Sequence, residues 1–309
     1  MNSPAELTRI AAEIRKDILK MSFQAKASHL TSALSMVEIL TALYFGGVAN
    51  VDPLNPHWED RDRILISKGH GGSALYATLA RRGFFPKEEL NHYYQNGALL
   101  GGHTEYRVPG VEISTGSLGH GLSIGLGMAL AAKHDKKTHR IFALLSDAEC
   151  QEGEIWQALL VASHHRLDNL VLIVDYNKFQ AIGKIEDVVS FDPLHKKFEA
   201  FGCRTRECRG HRFSGLLSAF SALLAVKGQP KALIAHTVIG QGVSFMEGDL
   251  DWHYKSLSEK EFARAMVELS AFAKVADAPQ PLWRRRASAD TRRSAFLPGL
   301  PARRRVGRA

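Results

Sequence analysis

Two oxygen-bearing side chains stand at positions from which they could bind one divalent cation. Asp147 follows the apolar run Arg140–Leu145, and Asn177 follows a second apolar run, Leu170–Val174. Thirty residues separate them, about the length of one βαβ unit, so we expect both at the carboxyl ends of neighbouring parallel strands. Carboxylate and amide oxygens supply part of the octahedral shell of Mg²⁺, which usually takes further ligands from a bound phosphate.

The residues after Asp147 strengthen this interpretation. A helix predicted from Gly153 to His165 directs free N–H groups and the positive end of its dipole toward the same edge of the sheet, which favours a diphosphate. Asp147 or Asn177 alone has an ordinary explanation, because aspartate caps helices and asparagine forms turns. The pair at this spacing predicts a magnesium and diphosphate site instead.

The elements that must position this site alternate along the chain. Short apolar runs rich in β-branched residues, separated by helices, are typical of an α/β fold in which helices cover both faces of a parallel sheet and so form three layers. The predicted strands are Arg140–Leu145, Leu170–Val174, Gly202–Glu207 and Ala232–Thr237. The predicted helices are Ala5–Lys20, Ser35–Tyr44, Gly72–Arg82, Lys87–Gln95, Gly119–Lys133, Glu152–His165, Pro193–Ala200, Ser214–Val226 and Ser258–Val275.

Composition divides the chain into two predicted regions. The formal net charge is +8, but nine arginines and a single acid lie in Trp283–Ala309, and the remainder is neutral. We predict a folded domain over residues 1–278 and a disordered, arginine-rich tail over residues 279–309, because the tail cannot bury enough apolar surface to offset its ordering entropy. Arginine clusters can bind phosphate backbones, but no recognition module accompanies this one, so we expect no nucleic acid partner.

The rest of the composition predicts a cytoplasmic protein. No run of 18 apolar residues is present, so we expect no membrane span. The N-terminal residues lack the basic start and apolar stretch of a secretory signal. Cys150, Cys203 and Cys208 form neither a disulfide framework nor a metal-binding pattern, and we interpret them as reduced thiols.

The segment around Asp147 and Asn177 resembles the thiamine-diphosphate motif of transketolases. Its two parts read Ser-Asp-Ala-Glu-Cys-Gln-Glu-Gly from Ser146 and Val-Asp-Tyr-Asn-Lys-Phe from Val174. The family motif opens with Gly-Asp-Gly and closes near an asparagine at a similar distance. The resemblance implies that Asp147 and Asn177 bind Mg²⁺ with their side chains and Phe179 with its backbone carbonyl, and that Ca²⁺ or Mn²⁺ could replace Mg²⁺.

Two further residues of the motif concern the diphosphate. The resemblance implies that Glu152, within Gln-Glu-Gly, lies near the cofactor and that the backbone of Ala148 approaches the diphosphate. Ser146 and Ala148 replace both glycines of the family motif. The methyl group of Ala148 is harmless if φ is negative and costs on the order of 1 kcal/mol or more if φ is positive. The value of φ at Ala148 is therefore expected to affect the affinity for the cofactor.

Four of the fourteen histidines stand in contexts similar to transketolase segments. His29 follows Lys-Ala-Ser, where the family has Ser-Gly-His, and His70 ends a Ser-Lys-Gly-His sequence. His103 follows two glycines, as in the family's Gly-His-Pro, and His253 follows Trp252 in a segment typical of separate N-terminal transketolase chains. Histidine suits sugar chemistry, because sugar hydroxyls must lose and gain protons near neutral pH.

The resemblance also implies roles for these residues. His29 and His103 would be catalytic, in contact with donor hydroxyls and the acceptor aldehyde. The cofactor would be bound by His70, His253, Gly116, Leu118 and Ile239. The run Gly-Ser-Leu-Gly-His-Gly from Gly116 is similar to the family's Thr-Gly-x-Leu-Gly-Gln-Gly. Eight histidines lack such a context and are interpreted as ordinary surface or core residues, namely His92, His134, His139, His164, His165, His195, His211 and His236.

The resemblance further implies a transferase that needs a second chain. Single-chain transketolases are about twice as long, and their second domain binds the aminopyrimidine ring and carries the glutamate that activates the cofactor. We therefore expect an enzyme that moves a two-carbon ketol unit from a ketose phosphate donor to an aldose acceptor, using thiamine diphosphate and Mg²⁺. A separate C-terminal, pyrimidine-binding subunit would complete it as an α2β2 heterotetramer. Sulfonated and branched sugars are as open as pentose phosphates.

Two other interpretations remain open on sequence. The α chain of a 2-oxoacid dehydrogenase first component also binds diphosphate and magnesium in a separate polypeptide. The Ser-Lys-Gly-His and Gly-His-Thr segments argue against that chain. A degenerate subunit that binds no cofactor is suggested only by Ala148.

Overall fold

The sheet that carries the predicted site has five parallel strands. The structure, a computed structural model, describes residues 2–275, and side chains from residue 272 onward lie outside the description. The strands in chain order are β1 (Arg63–Ile66), β2 (Ile141–Ser146), β3 (Leu170–Tyr176), β4 (Phe179–Gln180), β5 (Gly183–Lys184), β6 (Arg204–Arg209) and β7 (Lys231–His236). The main sheet has the order β1-β2-β3-β7-β6, all pairs parallel, and β4 and β5 form a separate antiparallel pair.

Helices follow most of these strands. They are α1 (Pro4–Ala25), α2 (Leu30–Ser35), α3 (Val37–Phe45), α4 (Gly72–Arg82), α5 (His120–His134), α6 (Gly153–His164), α7 (Ile185–Val188), α8 (Leu194–Ala200), α9 (Phe213–Leu224) and α10 (Glu259–Val275). Four short 3₁₀ helices complete the described part: Gly69–Gly71, Lys87–His92, Ala148–Gln151 and Leu250–His253. A capping box formed by Ser3 and Glu6 fixes the start of α1.

Alternate residues of each central strand enter two different hydrophobic cores. Phe142 and Leu144 of β2 pack into the core that α1–α4, α9 and α10 cover. Ile141, Ala143 and Leu145 of the same strand pack into the core that α5, α6 and α8 cover. Successive side chains of a strand point to opposite faces, so a strand buried on both faces must be apolar throughout. The predicted three-layer α/β fold is confirmed.

The differences from the predicted elements are local. Strand β1 was not predicted. The helix predicted over Ser35–Tyr44 corresponds to α3, which begins at Val37, and the preceding α2 was not predicted. The helix predicted over Lys87–Gln95 is wrong, because this segment forms a 3₁₀ helix with i to i+3 hydrogen bonds that ends at His92. The other predicted elements differ from the observed ones only at their ends, where helices fray.

Three further predictions concern the chain as a whole. Within residues 2–275, no helix is long and apolar enough to cross a membrane. Cys150, Cys203 and Cys208 are all free thiols. The predicted tail over residues 279–309 lies outside the described residues, and the predicted domain boundary at residue 278 stays a prediction.

Candidate active site

The ends of β2 and β3 bring the predicted cation ligands together. Asp147 directly follows β2, and Asn177 directly follows β3, its neighbour in the sheet. The Asp147 carboxylate reaches across to the next strand's loop, where its Oδ2 accepts a hydrogen bond from the Lys178 N–H at 2.5 Å. The Asn177 Oδ1 accepts one from the Phe179 N–H at 2.9 Å. One carboxylate, one side-chain amide and the backbone of Phe179 therefore share this edge of the sheet.

Buried acids outnumber buried bases at the same edge. Asp147, Glu149 and Asp175 are each no more than 2% exposed, and the fully buried Lys68 lies among them. Its Nζ pairs with Asp175 Oδ2 at 2.6 Å. Burial raises the pKa of Asp147 to about 7, with a further contribution from Asp175, and burial also raises the pKa of Glu149. A divalent cation would offset this excess of negative charge.

The available donor atoms suit one class of metal. No group of three or more His, Cys, Asp or Glu side chains in residues 2–275 is arranged to hold a metal ion. The predicted ligands are instead a carboxylate, an amide and a carbonyl, and they leave the other positions of an octahedral shell to phosphate oxygens and water. The residues present therefore fit Mg²⁺ that binds together with a diphosphate.

Backbone conformation resolves the question of Ala148. This residue begins the 3₁₀ helix Ala148–Gln151 and is not among the described residues with positive φ, so its methyl group introduces no strain. Left-handed conformations occur near the site instead at Lys178 (φ 70°), between the predicted ligands Asn177 and Phe179, and at His29 (φ 62°). Such conformations cost on the order of 1–3 kcal/mol in non-glycine residues and occur preferentially at functional sites.

Glu149 fixes the segment that contains Gly116 and Leu118. Its Oε1 accepts hydrogen bonds from the Ser67 hydroxyl and from the Gly119 N–H, the latter at 2.7 Å. The Ser67 hydroxyl in turn accepts from the Gly121 N–H at 3.1 Å. A Cβ atom at Gly121 would lie within 2.8 Å of the Ser67 Cα, so only glycine permits this approach. The start of α5 is thus held against the ends of β1 and β2.

The four histidines singled out in the sequence form one cluster. The ring centroid of His29 lies 4.9 Å from that of His253, 5.5 Å from that of His70 and 6.4 Å from that of His103. The rings of His70 and His253 are 6.0 Å apart. Tyr254 adds a fifth ring, 5.4 Å from His29 and 4.7 Å from His253. Residues from four separate segments therefore lie close together around His29.

The cluster favours uncharged imidazole rings. Burial, with the nearby Lys68 cation, lowers the pKa of His70 to about 2, and burial with His29 and Lys68 lowers that of His253 to about 4. The pKa of His29 is also lowered, chiefly by burial. A neutral ring can donate one hydrogen bond and accept another, so at pH 7 these side chains can contact sugar hydroxyls in either sense.

Titration of these histidine rings tests whether they are uncharged near pH 7. In NMR spectra of the chain labelled at histidine Cε1, we expect the His253 resonance to titrate with a pKa of about 4 and that of His29 below the ordinary histidine value. Protonation of His253 near pH 6.5 would contradict the burial on which this prediction depends.

Short contacts place His103 and Gly116 beside each other. The Tyr76 hydroxyl donates to the His103 carbonyl at 2.5 Å, and the Thr104 and Thr115 hydroxyls form a hydrogen bond. A Cβ atom added to Gly116 would meet only the His103 ring, at 3.6 Å. His103 and Gly116 are both exposed. This side of the site is therefore open to solvent in the isolated chain.

The remaining predicted site residues differ in how deeply they are buried. Ile239 is 1% exposed, and the next residue, Gly240, donates its N–H to the Thr31 carbonyl of α2 at 3.0 Å. Leu118 is half-buried. Glu152 is exposed, and its Cβ would lie 3.1 Å from a Cβ placed on Gly119.

Sequence reasoning missed the charged residues beneath the site. Asp175 interrupts the apolar end of β3, Lys68 follows β1 by two residues, and Glu149 follows Asp147 by two residues. The position of Asp175 in a run that should be buried on both faces was the available signal, because buried charges are kept only when they are paired.

Comparison with known proteins gives the family. The model "Transketolase, thiamine diphosphate binding domain" matches residues 7–278. A chain of Phocaeicola vulgatus, named as one subunit of an apulose-4-phosphate transketolase, is 39% identical over 256 residues, which cover 83% of this chain and 91% of that protein. "6-deoxy-6-sulfo-D-fructose transketolase subunit SqwG" of a Clostridium species is 39% identical over 265 residues, covering 85% and 96%.

A solved structure agrees with these matches. Transketolase from Campylobacter jejuni superposes with a TM-score of 0.82 at 30% identity, over 87% of this chain. The chain spans only 43% of that protein. The chain belongs to the transketolase family and carries its thiamine-diphosphate-binding domain. The chain is therefore a transferase subunit. It matches chains that are named as one subunit of a transketolase, over nearly their full length.

Proposed function

We propose that this chain binds thiamine diphosphate with Mg²⁺ and, with a second polypeptide, transfers a two-carbon ketol unit from a ketose phosphate to an aldose. The observation that carries the proposal is the pairing of Asp147 and Asn177 at adjacent strand ends, in a buried environment with excess negative charge. The histidine cluster adds the groups that sugar chemistry needs. In this proposal Asp147, Asn177 and the Phe179 carbonyl bind the cation.

The proposed cofactor and this chain's residues divide the chemistry between them. Thiamine diphosphate, when bound, supplies the electron sink for cleaving and forming a carbon–carbon bond. The Ser28 hydroxyl lies 2.9 Å from Nδ1 of His29, so Nε2 of that ring is left to contact a donor hydroxyl. His103 is exposed and would meet the acceptor aldehyde. Both rings would exchange protons with hydroxyl groups of the sugar.

The other proposed contacts orient the cofactor. His70 and His253 would hold the diphosphate region, and the backbone of Ala148 would approach its oxygens. Gly116, Leu118 and Ile239 would pack against it. Glu152, exposed beside Gly119, would meet the cofactor near the partner chain.

We further propose that the partner is a C-terminal subunit which binds the pyrimidine ring, and that the assembly is an α2β2 heterotetramer. The relatives from Phocaeicola vulgatus and Clostridium, named as transketolase subunits, support a two-chain enzyme. Their names also support a branched or sulfonated ketose as an alternative to a pentose phosphate. Three free thiols agree with the cytoplasm as its compartment.

Binding and turnover of the assembled enzyme test the proposal. The full chain would be co-expressed with the product of the adjacent gene, purified through a tag on one chain, and titrated calorimetrically with thiamine diphosphate in Mg²⁺ or in EDTA. We expect binding in Mg²⁺ only, and transfer from ketose to aldose by the loaded complex. An assembled complex that binds no thiamine diphosphate at millimolar concentration would refute the proposed function.

A further inference from the structure

Three polar side chains form a buried network behind the turn that carries Ile239. Arg15 of α1 is fully buried, Glu38 of α3 is 3% exposed, and the His211 side chain, which follows β6, is 16% exposed. Both terminal nitrogens of Arg15 donate to the Glu38 carboxylate at 2.7 Å. His211 Nδ1 lies 2.8 Å from Glu38 Oε2. We call these three residues the 238–241 tether, for the turn that they hold.

The hydrogen bonds of His211 define its tautomer. The Val238 N–H donates to His211 Nε2 at 2.8 Å, and a backbone N–H can only donate. Nε2 must therefore be unprotonated, so Nδ1 carries the proton and donates a hydrogen bond to Glu38. The imidazole thus connects a buried carboxylate to the first residue of the turn.

Arg15 holds the other end of the same turn. Its Nε donates to the Gln241 carbonyl at 2.8 Å, while its terminal nitrogens bind Glu38. Between these two points lie Ile239 and Gly240, which has φ of 74°. A Cβ atom at Gly240 would lie 2.4 Å from the Met246 carbonyl oxygen, so only glycine fits at this point of the turn.

The charge state of Glu38 shows how tightly this network is coupled. Burial by itself would raise the pKa of Glu38, but Arg15 and His211 outweigh burial and hold it far below its ordinary value. Buried ion pairs of this kind add little net stability compared with well-packed apolar residues. Stability alone therefore does not account for three polar residues at this position.

We infer that Arg15, Glu38 and His211 are positioning residues that fix the 238–241 turn, so that Ile239 meets the bound cofactor in one conformation. This inference rests on the proposed function and extends it to residues that touch neither the cofactor nor the substrate. His211, interpreted from sequence as an ordinary histidine, acquires a role through the Val238 N–H.

A double-mutant cycle tests the tether in the co-expressed two-chain complex. His211→Ala removes the acceptor of Val238 but leaves the Arg15–Glu38 pair, and we expect thiamine diphosphate with Mg²⁺ to bind about tenfold more weakly. Ile239→Ala should weaken binding also. Because His211 acts through Ile239, the double variant should bind no more weakly than Ile239→Ala alone.

Two controls separate positioning from general damage. His236→Ala removes another histidine that faces a glutamate, an exposed one at the end of β7, and should leave the affinity unchanged. His211→Gln can still accept from the Val238 N–H and should restore most of the affinity, which also covers the case in which the alanine variant does not fold. Amide exchange at Val238 should be at least tenfold faster in His211→Ala than in the parent, with or without cofactor.

Each outcome decides the inference. Equal affinity of His211→Ala and the parent, or additive losses in the double variant, would overturn it. A failure of both His211 variants to fold would assign the network to stability instead. If the parent complex binds no thiamine diphosphate, the proposed function fails, and unchanged amide exchange at Val238 would then overturn the tether separately.

Discussion

Replacing Asp147 with asparagine should lower the affinity of the assembled enzyme for thiamine diphosphate in Mg²⁺ by at least about 100-fold, or about 2.7 kcal/mol. The amide oxygen can still accept the hydrogen bond from the Lys178 N–H, so the loop that carries Asn177 keeps its position, and the hydrogen bond from the Ala148 N–H to Oδ1 is lost. What is lost is the negative charge that a hard cation requires. Calorimetric titration measures the change.

In the absence of metal, the same substitution should leave the stability of the folded chain unchanged or raise it. The pKa of Asp147 is about 7 in the folded chain, against an ordinary value of 3.8, so the folded state holds the proton more strongly than the unfolded state. Stability from this group is present at low pH and is lost as pH rises through 7. In EDTA at pH 8, the asparagine variant should therefore melt at the same temperature as the parent or higher.

Asp135→Asn provides the matched control, since that acid is exposed at the end of α5 and its side chain is 62% exposed. Its replacement should change neither binding nor melting. Unchanged affinity in Asp147→Asn would show that Asp147 binds no cation. That result would refute the central assignment of the proposed function.

Replacing Lys68 with methionine should lower the free energy of unfolding by about 3–5 kcal/mol, the typical cost of leaving a buried charge without its partner. Both side chains of the Lys68–Asp175 pair are fully buried. Without Lys68, the donors left to the Asp175 carboxylate among residues 2–275 would be the hydroxyls of Ser35, at 2.5 Å, and of Thr237. Urea denaturation of the full chain at pH 7.5 measures the loss.

The double variant Lys68→Met with Asp175→Asn should recover most of this stability, because it removes both charges together. Lys137→Met is the control on the surface: Lys137 pairs with Asp60 at 3.0 Å, both side chains are exposed to solvent, and its removal should leave the free energy of unfolding almost unchanged. A loss below about 1 kcal/mol for Lys68→Met would show that water or a rearranged donor reaches Asp175.

The placement of Asp147 and Asn177 at neighbouring strand ends could be predicted from the sequence for a physical reason. Asp147 and Asn177 each follow a strand that is buried on both faces, and such strands are legible as continuous apolar runs. Strand β1 was not predicted because its four residues begin with the charged Arg63, and so short an apolar run does not distinguish a strand from a helix. The convergence of the histidines was expected only through the family resemblance.

Long-range polar pairs could not be read from the sequence. Lys68 lies 107 residues from Asp175, and Arg15 lies 226 residues from the Gln241 carbonyl that it binds. No periodicity or local motif links such positions, because the pairing depends on how whole elements pack. His211 shows the same limit: its local sequence is ordinary, and its significance depends on the neighbours that the fold supplies.

The residues of the candidate site differ in burial, and this difference affects how the two proposed chains would assemble. Asp147 and His253 are held inside this chain, whereas His103, Gly116 and Glu152 face outward, where the proposed second polypeptide would cover them. A ligand that touches both chains must strengthen their association by the same factor by which association strengthens its own binding. Scarcity of the vitamin-derived ligand would then favour dissociation of the two chains, so nutrient supply would influence the assembly as well as its activity.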